Sequence, residues 1–463
     1  MKIRFCPRPY NHIHCDPEGY VRICSWMDVP IGNLLDEDIH AIWHGEKAAK
    51  LRESFRDGSF RFCRATSCPF LENDSLEYID SEDYEKKAII EDIPKSINIA
   101  NDFVCNHSCP SCRQGIYHAT AEYLDKFDRA AKQLIPLLNQ ADDFSACGNG
   151  DLFASPHMLS MLSQVKPQKS TCRISLETNG ALFDEKHWDK IKHFGDYNLS
   201  VVVTPNSFRK DVYEYLSGNH NDYEKLMDNL YFIKELHEKK IINRYEISIV
   251  VQDVNYLELP DFSQRCIEDF GVDAVVVKPI YNWFKMPDEE FWFKDVLNPL
   301  HPYHASWQKM MKNPILNDSH VYLWGARNEH KPMVHPAYQY KDMLAGLNTL
   351  ISLSDLSNSL KAYMTSQNKS SLILYGENEL TAVLVEFLKE KYPLRLMARD
   401  ITQTEIRGIK IERFCCGCLS EQDVVVVLNA NKYEQIKRDF EFGNFKGILI
   451  KFPEWVEILK EVN

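Results

Sequence analysis

The 463-residue chain lacks any run close to the roughly 18 apolar residues a membrane span requires. It has no long basic run, no internal repeat and no low-complexity tract. Its opening, Met1-Lys2-Ile3-Arg4-Phe5-Cys6-Pro7, has neither an apolar h-region nor a small-residue cleavage site, so it does not read as a signal peptide. Lys plus Arg total 54 against 67 Asp plus Glu, a net charge of −13. Phosphate-backbone binding is therefore disfavoured, and nucleic acid is not expected as a partner. A cytoplasmic protein without a membrane span is expected.

Cysteine, by contrast, is plentiful. Fourteen cysteines would not persist as disulfides in a reducing cytosol. They are metal-ligating thiolates, a redox device or packed thiols, and spacing decides among these.

Between Lys95 and about Ile280, short apolar runs alternate with helical patterns. Ser96–Ala100, Asp143–Cys147, Arg173–Glu177, Asn198–Val203, Glu246–Val251 and Ala274–Lys278 read as buried strands. Leu124, Phe127, Ala131, Leu134 and Leu138 recur at helical spacing, as do Tyr223, Leu226, Leu230 and Ile233. Strands alternating with helices imply a parallel α/β sheet with crossover helices, whose carboxyl-end loops carry the chemistry. Residues 1–75 show few strand signals, 301–367 read as an irregular then helical extension, and Gln367–Ser371 reads as a linker. A second, smaller α/β unit is expected over 371–463, from Leu372–Gly376, an apolar helix through Leu388, Leu394–Ala398, Val424–Leu428 and Gly447–Lys451.

Cys105, Cys109 and Cys112 lie in a C-x3-C-x2-C spacing between the first of these strands and the first helix. Three thiolates in one tight loop can hold three corners of a [4Fe–4S] cube and leave the fourth iron open. A zinc site is the alternative, but structural zinc takes four ligands, and His107 in the same short loop would close the tetrahedron under strain. The segment resembles the cluster-binding signature of the radical S-adenosylmethionine (SAM) superfamily, departing from it in having Ser111 where many members carry an aromatic residue. That resemblance implies an enzyme with a partial (β/α)6 TIM-like barrel over 92–300. It implies SAM chelated to the open iron and cleaved to a 5′-deoxyadenosyl radical that abstracts hydrogen. It also implies a reductant such as flavodoxin or ferredoxin. Gly148-Asn149-Gly150-Asp151 resembles the family's glycine-rich SAM turn. Thr178 and Asn179 resemble its Thr-Asn-Gly turn, and Thr204 ends the fourth strand where a SAM-contacting polar residue is often found.

Cys6-x12-Gly19-x4-Cys24, followed by Cys63-x4-Cys68, resembles the twitch or SPASM modules of the same superfamily. The resemblance implies an auxiliary [4Fe–4S] cluster on Cys6, Cys24, Cys63 and Cys68 within a module over 1–80. Cys15 is left over and competes with Cys6; zinc on the same four cysteines is the alternative. Only one closed site is expected, and the module precedes the barrel where relatives place it after. Cys147, Cys172 and Cys266 read as packed thiols, Cys415-Cys416-Gly417-Cys418 as unliganded, and His12, His14, His40 and His44 as surface or satisfied histidines. Tyr375-Gly376-Glu377-Asn378-Glu379 resembles the start of a small Rossmann-like domain, although G-x-G-x-x-G is absent. The family's chemistry suggests a peptide or saccharide-type substrate. A non-catalytic metal-binding scaffold, or a nucleotide-sugar-linked enzyme using the last domain, are the other readings.

Overall fold

The computed structural model describes residues 2–27, 29–63, 68–72, 74–113, 115–146, 148–282, 286–326, 346–353, 355–376, 379–398, 405–414, 419–428, 433–442 and 444–462. The chain forms two compact units, Met1–Met333 and Val334–Asn463.

The strands of the first unit are β1 (Lys2–Phe5), β2 (His12–Cys15), β3 (Tyr20–Arg22), β4 (Gly32–Asn33), β5 (Glu77–Asp80), β6 (Ser96–Ile99), β7 (Asp143–Ala146), β8 (Arg173–Thr178), β9 (Asn198–Val203), β10 (Arg244–Val251), β11 (Ala274–Pro279) and β12 (Val321–Leu323). All six runs read as strands from sequence are present. They lie side by side in chain order from β6 to β11 and pair in parallel. Helices such as Ala121–Asn139, Tyr223–Glu238 and Leu259–Glu268 connect them. An α/β fold built on a parallel sheet is thus borne out.

Two features were not anticipated. β12 extends the sheet beyond β11, and β2 pairs in parallel with β6, setting Ile13 opposite Ile97 and Cys15 opposite Ile99. β3 and β4 then add antiparallel strands, so the cysteine-rich N-terminal segment is the edge of the same ten-stranded sheet. The strands in residues 1–75 run two to four residues, too short for a period-two pattern to emerge.

The sheet is two-faced. In β8, Ile174, Leu176 and Thr178 are buried while Ser175 and Glu177 are partly open. β6, β7 and β10 repeat the alternation, with Ser96, Asn98, Ser145 and Glu246 on the open side. Strands with apolar residues on one face and polar residues on the other make a sheet packed by helices on one side and facing a cavity on the other.

The second unit holds β13 (Ser371–Tyr375), β14 (Leu394–Ala398), β15 (Glu405–Ile406), β16 (Ile409–Arg413), β17 (Asp423–Val427) and β18 (Ile448–Lys451), ordered β15-β16-β14-β13-β17-β18. All neighbours pair in parallel except β15 with β16. Leu372, Leu374, Val424, Val426 and Trp455 share its larger core. The chain reverses direction across the sheet between β13 and β17, and Gly376, with φ +121°, leaves β13 at that point. Glu377 and Asn378 lie outside the described residues. No helix among the described residues is long and apolar enough to cross a membrane.

Candidate functional site

Cys105, Cys109 and Cys112 sit in the loop at the carboxyl end of β6. Burial pushes the Cys105 thiol up to about 12, and Asp151 nearby adds to the rise. Cys109 is raised too, first by burial, then by Cys112 and Cys105. The three sulfurs therefore feel one another, and Arg113 is the cation that opposes their accumulated charge. Arg113 is fixed by donating to Phe103 O (2.7 Å) and to Asn149 O, and its guanidinium lies 3.9 Å from Cys112 Sγ. Asn179 Nδ2 lies 3.9 Å from Cys105 Sγ, and the His107 N–H points at the same sulfur from 3.4 Å.

The His107 ring turns one nitrogen away from the sulfurs, into a polar cluster around Asp222. Its buried ring sets Nε2 3.0 Å from Asp222 Oδ2 and 3.2 Å from the Tyr213 hydroxyl, which donates to Asp222 Oδ1 at 2.8 Å. Asn106 and Asn219 donate to Asp222 as well. Burial alone would raise the Asp222 carboxyl, but hydrogen bonds from His107, Tyr213 and Asn106 win and hold it below the ordinary carboxylate range. Ser108 N donates to Ser217 O at the end of helix Lys210–Ser217, where Gly218, with φ +63°, admits the loop. A Cβ at Gly218 would stand 2.6 Å from Ser108 O. Sequence reasoning missed this anchor: Asp222 is 115 positions from His107 and carries no motif.

The glycine-rich turn lies against the same loop. A Cβ on Gly150 would come within 2.3 Å of Val104 O and 2.8 Å of Asp102 O, and one on Gly148 within 2.5 Å of Ala100 Cβ. These glycines let two loops touch, which is a reason for small residues distinct from admitting a ligand. Asp151 is buried; its N–H donates to Val104 O, and its carboxylate accepts from Thr178 Oγ1 (2.7 Å), Asn179 N (2.7 Å) and Phe153 N (3.0 Å). Asp151 thus splices the glycine turn, the Thr178-Asn179-Gly180 turn and the cysteine loop. Asn149 donates to Ala100 O. Thr204, on the open side, pairs with Ser248 at 2.6 Å. Gly148, Asn149, Gly150, Asp151, Thr178 and Asn179 therefore gather around the cysteine loop. Cys147 lies outside the described residues, as do Cys415, Cys416 and Cys418. Cys172 and Cys266 are buried thiols, as expected.

In the N-terminal segment, Cys6, Cys24, Cys63 and Cys68 line one small apolar cavity of about 20 Å3 with Arg8, Trp26, Met27, Phe55, Phe60 and neighbouring residues. Burial pushes the Cys6 thiol up to about 12 and also raises Cys24. Cys15 is fully buried on β2 and does not line the cavity, whereas Cys6 does. Four soft sulfur donors in a dry chamber suit an iron–sulfur cluster or zinc. Tetrahedral zinc with bonds near 2.3 Å holds its sulfurs about 3.8 Å apart.

Residues 6–69 match the SPASM family, an iron–sulfur cluster-binding domain. The SPASM match spans all four cavity cysteines and bears out the expected N-terminal module. No curated protein matches the chain significantly. Among solved structures, the crystal structure of Streptococcus suis SuiB bound to S-adenosylmethionine is similar at 13% identity. The alignment covers 68% of this chain and 70% of that one, with a TM-score of 0.32, too remote a likeness to bear on the site.

An open cavity of about 450 Å3 lies on the polar side of the sheet. Ser175, Glu177, Ser200, Glu246, Lys278 and Trp324 are among its lining residues. Trp26, which lines the cysteine chamber, packs edge-on against Trp324 at 5.5 Å between ring centres and against Tyr281 at 6.0 Å. The Lys278 ammonium lies 5.7 Å from the Trp324 ring centre. Polar residues recurring at every second strand position, as in Ser175 and Glu177, are the sequence signal of this cavity.

Proposed function

We propose that the chain is a radical SAM enzyme, with an open [4Fe–4S] cluster on Cys105, Cys109 and Cys112 and one auxiliary [4Fe–4S] cluster on Cys6, Cys24, Cys63 and Cys68. The observation that carries this is the convergence of three thiols in one loop at the carboxyl end of β6, beside the Asp151-linked turns. Three sulfurs leave one iron of a cube without a protein ligand. The SPASM match to the adjoining segment supports the same reading.

When bound, the open cluster with SAM supplies one-electron cleavage of a carbon–sulfur bond and a 5′-deoxyadenosyl radical that takes hydrogen from substrate. The chain's residues prepare that step. Arg113 offsets thiolate charge, and the Asp222 network holds the loop still. Asp151 fixes the two turns that bear Gly148, Asn149, Gly150, Thr178 and Asn179 beside the cluster, the positions we assign to SAM. Thr204 extends that row on the open side of the sheet. The polar cavity is the substrate space, and its carboxylates, hydroxyls, lysine and aromatic wall suit a peptide or a saccharide. A flavodoxin or ferredoxin would supply the electron, and the reaction belongs in the cytoplasm. The first unit is a partial (β/α)6 barrel in this reading, and the second a Rossmann-like domain.

The test is SAM cleavage by anaerobically reconstituted, chemically reduced protein. Release of 5′-deoxyadenosine and methionine by the wild type, and none by Cys109→Ala, is the expected result. No cleavage by protein shown to carry both clusters would refute it.

A further inference from the structure

Outside the two cysteine sites, the described residues hold one trio of metal-ligating side chains whose donor atoms all lie within 4.8 Å of one another: His40, His44 and Asp92. His40 and His44 stand four residues apart on the helix Ile39–His44, so their rings project from adjacent turns of one face. The ring centres are 4.5 Å apart. Ile42 and Trp43 of the same helix are buried, which turns the histidines to solvent.

Asp92 comes from the connector leading into β6. Its carboxylate Oδ1 is 3.3 Å from His40 Nε2, and its backbone oxygen is 2.9 Å from His44 Nε2. The neighbouring residue is pinned independently, because the fully buried Trp43 ring donates from Nε1 to Glu91 O at 2.9 Å. The Asp38 side chain caps the helix by accepting from His40 N at 2.8 Å. The backbones of all three donors are therefore held in place before any ion arrives, and only exposed side-chain torsions remain to adjust.

We propose that His40, His44 and Asp92 form a surface site for a borderline divalent transition metal, of which Zn2+ is the probe of choice. Two imidazoles at i and i+4 on a helix chelate such an ion at about 2.0–2.1 Å, and a carboxylate completes three protein ligands, with water in the remaining position. On binding, the ion gives up coordinated water, and His40 relinquishes its contact with the Asp92 carboxylate so that both can bind the metal; His44 keeps its Nε2 proton on the Asp92 backbone oxygen and ligates through Nδ1, or gives up that bond and ligates through Nε2 as the neutral ring's other tautomer. The filled site ties the connector before β6 to the N-terminal segment. The sequence reading of these histidines as surface or satisfied residues did not foresee it, because Asp92 follows His44 by 48 positions.

The cysteines would compete for zinc, so the experiment uses full-length protein with its iron–sulfur clusters reconstituted. Zn2+ is titrated by calorimetry into wild type, His40→Gln/His44→Gln and Asp92→Asn, and thermal unfolding is followed with and without Zn2+. Wild type is expected to bind one more equivalent than the double variant and to gain thermal stability that the double variant does not. Asp92→Asn should bind more weakly by roughly tenfold or more, since even outer-shell partners of a metal cost that much when removed. Identical stoichiometry and affinity in wild type and the double variant would overturn the proposal. Unchanged affinity in Asp92→Asn would overturn the three-ligand site. Unfolding of the double variant without zinc at the wild-type temperature establishes that the comparison is between folded proteins. If that temperature falls, the single His44→Gln variant is titrated instead, with the same two outcomes.

Discussion

In the proposed reading, two cysteine sites in one unit solve opposite problems. The N-terminal one has four sulfurs in an apolar chamber walled by Phe55, Phe60, Trp26 and Met27. The other has three sulfurs in a loop tied down by polar side chains, with Cys112 exposed. A closed site gains from being dry, because every ligand is already supplied and solvent can only compete. A site with an unfilled position must stay reachable, so its rigidity comes from hydrogen bonds around it and not from burial of the loop itself. The Asp222 cluster supplies that rigidity, while in the SPASM chamber Arg8 and the Trp26 backbone N–H approach the Cys24 sulfur.

The comparison breaks most visibly if the sites are removed one at a time. Cys109→Ala should abolish SAM cleavage while the N-terminal site keeps its iron. Cys63→Ala should lose the N-terminal iron but still cleave SAM. Iron and sulfide analysis alongside product chromatography reads both, and loss of cleavage in both variants to the same extent would erase the distinction.

Next in size is the anchor. Asp222→Ala leaves the buried His107 ring and the Tyr213 hydroxyl without their acceptor, and removing one partner of a buried pair costs about 3–5 kcal/mol. Denaturant unfolding should show that loss, together with poor retention of the open cluster. The sign with pH follows from the depressed Asp222 carboxyl. Its contribution is present above the ordinary carboxylate value and is lost as pH falls through the lowered one. Glu258 behaves oppositely: burial lifts it to about 7, against a hydrogen bond from Ser207. Its contribution is complete below the ordinary carboxyl value and disappears as pH rises through about 7, so Glu258→Gln should flatten stability over that range.

Smaller again is Gly150→Ala. Its methyl group would meet backbone oxygens of the cysteine loop, and overpacking of that kind costs about 1–3 kcal/mol. SAM affinity should weaken with it, measured by equilibrium binding. The smallest effect belongs to Cys15→Ala, which should cost about 1 kcal/mol and leave the iron content unchanged, whereas Cys6→Ala removes the N-terminal iron.

The proposed open site was legible because its three cysteines fall within eight residues, between a strand and a helix that both declare themselves by apolar patterning. The SPASM chamber was legible only through the spacing of cysteines spread along the first 68 residues. Nothing in that spacing told Cys6 from Cys15, which folding places apart: Cys15 stands on β2 opposite Ile99, and Cys6 lines the chamber. The pairing of β2 with β6 was hidden because a four-residue strand carries too little pattern. Asp222, Tyr213 and Gly218 were hidden for another reason. A buried acceptor or an admitting glycine acquires meaning only from a partner that folding brings across from about a hundred residues away.

The central claim is that one cluster is open and the other closed. Electron paramagnetic resonance of the reduced, reconstituted protein, recorded with and without SAM, tests it most directly. The account predicts that SAM shifts one cluster signal and leaves the second untouched, and that the shifted signal is the one missing in Cys109→Ala. A SAM-sensitive signal that survives in Cys109→Ala, or two signals that ignore SAM altogether, would contradict it.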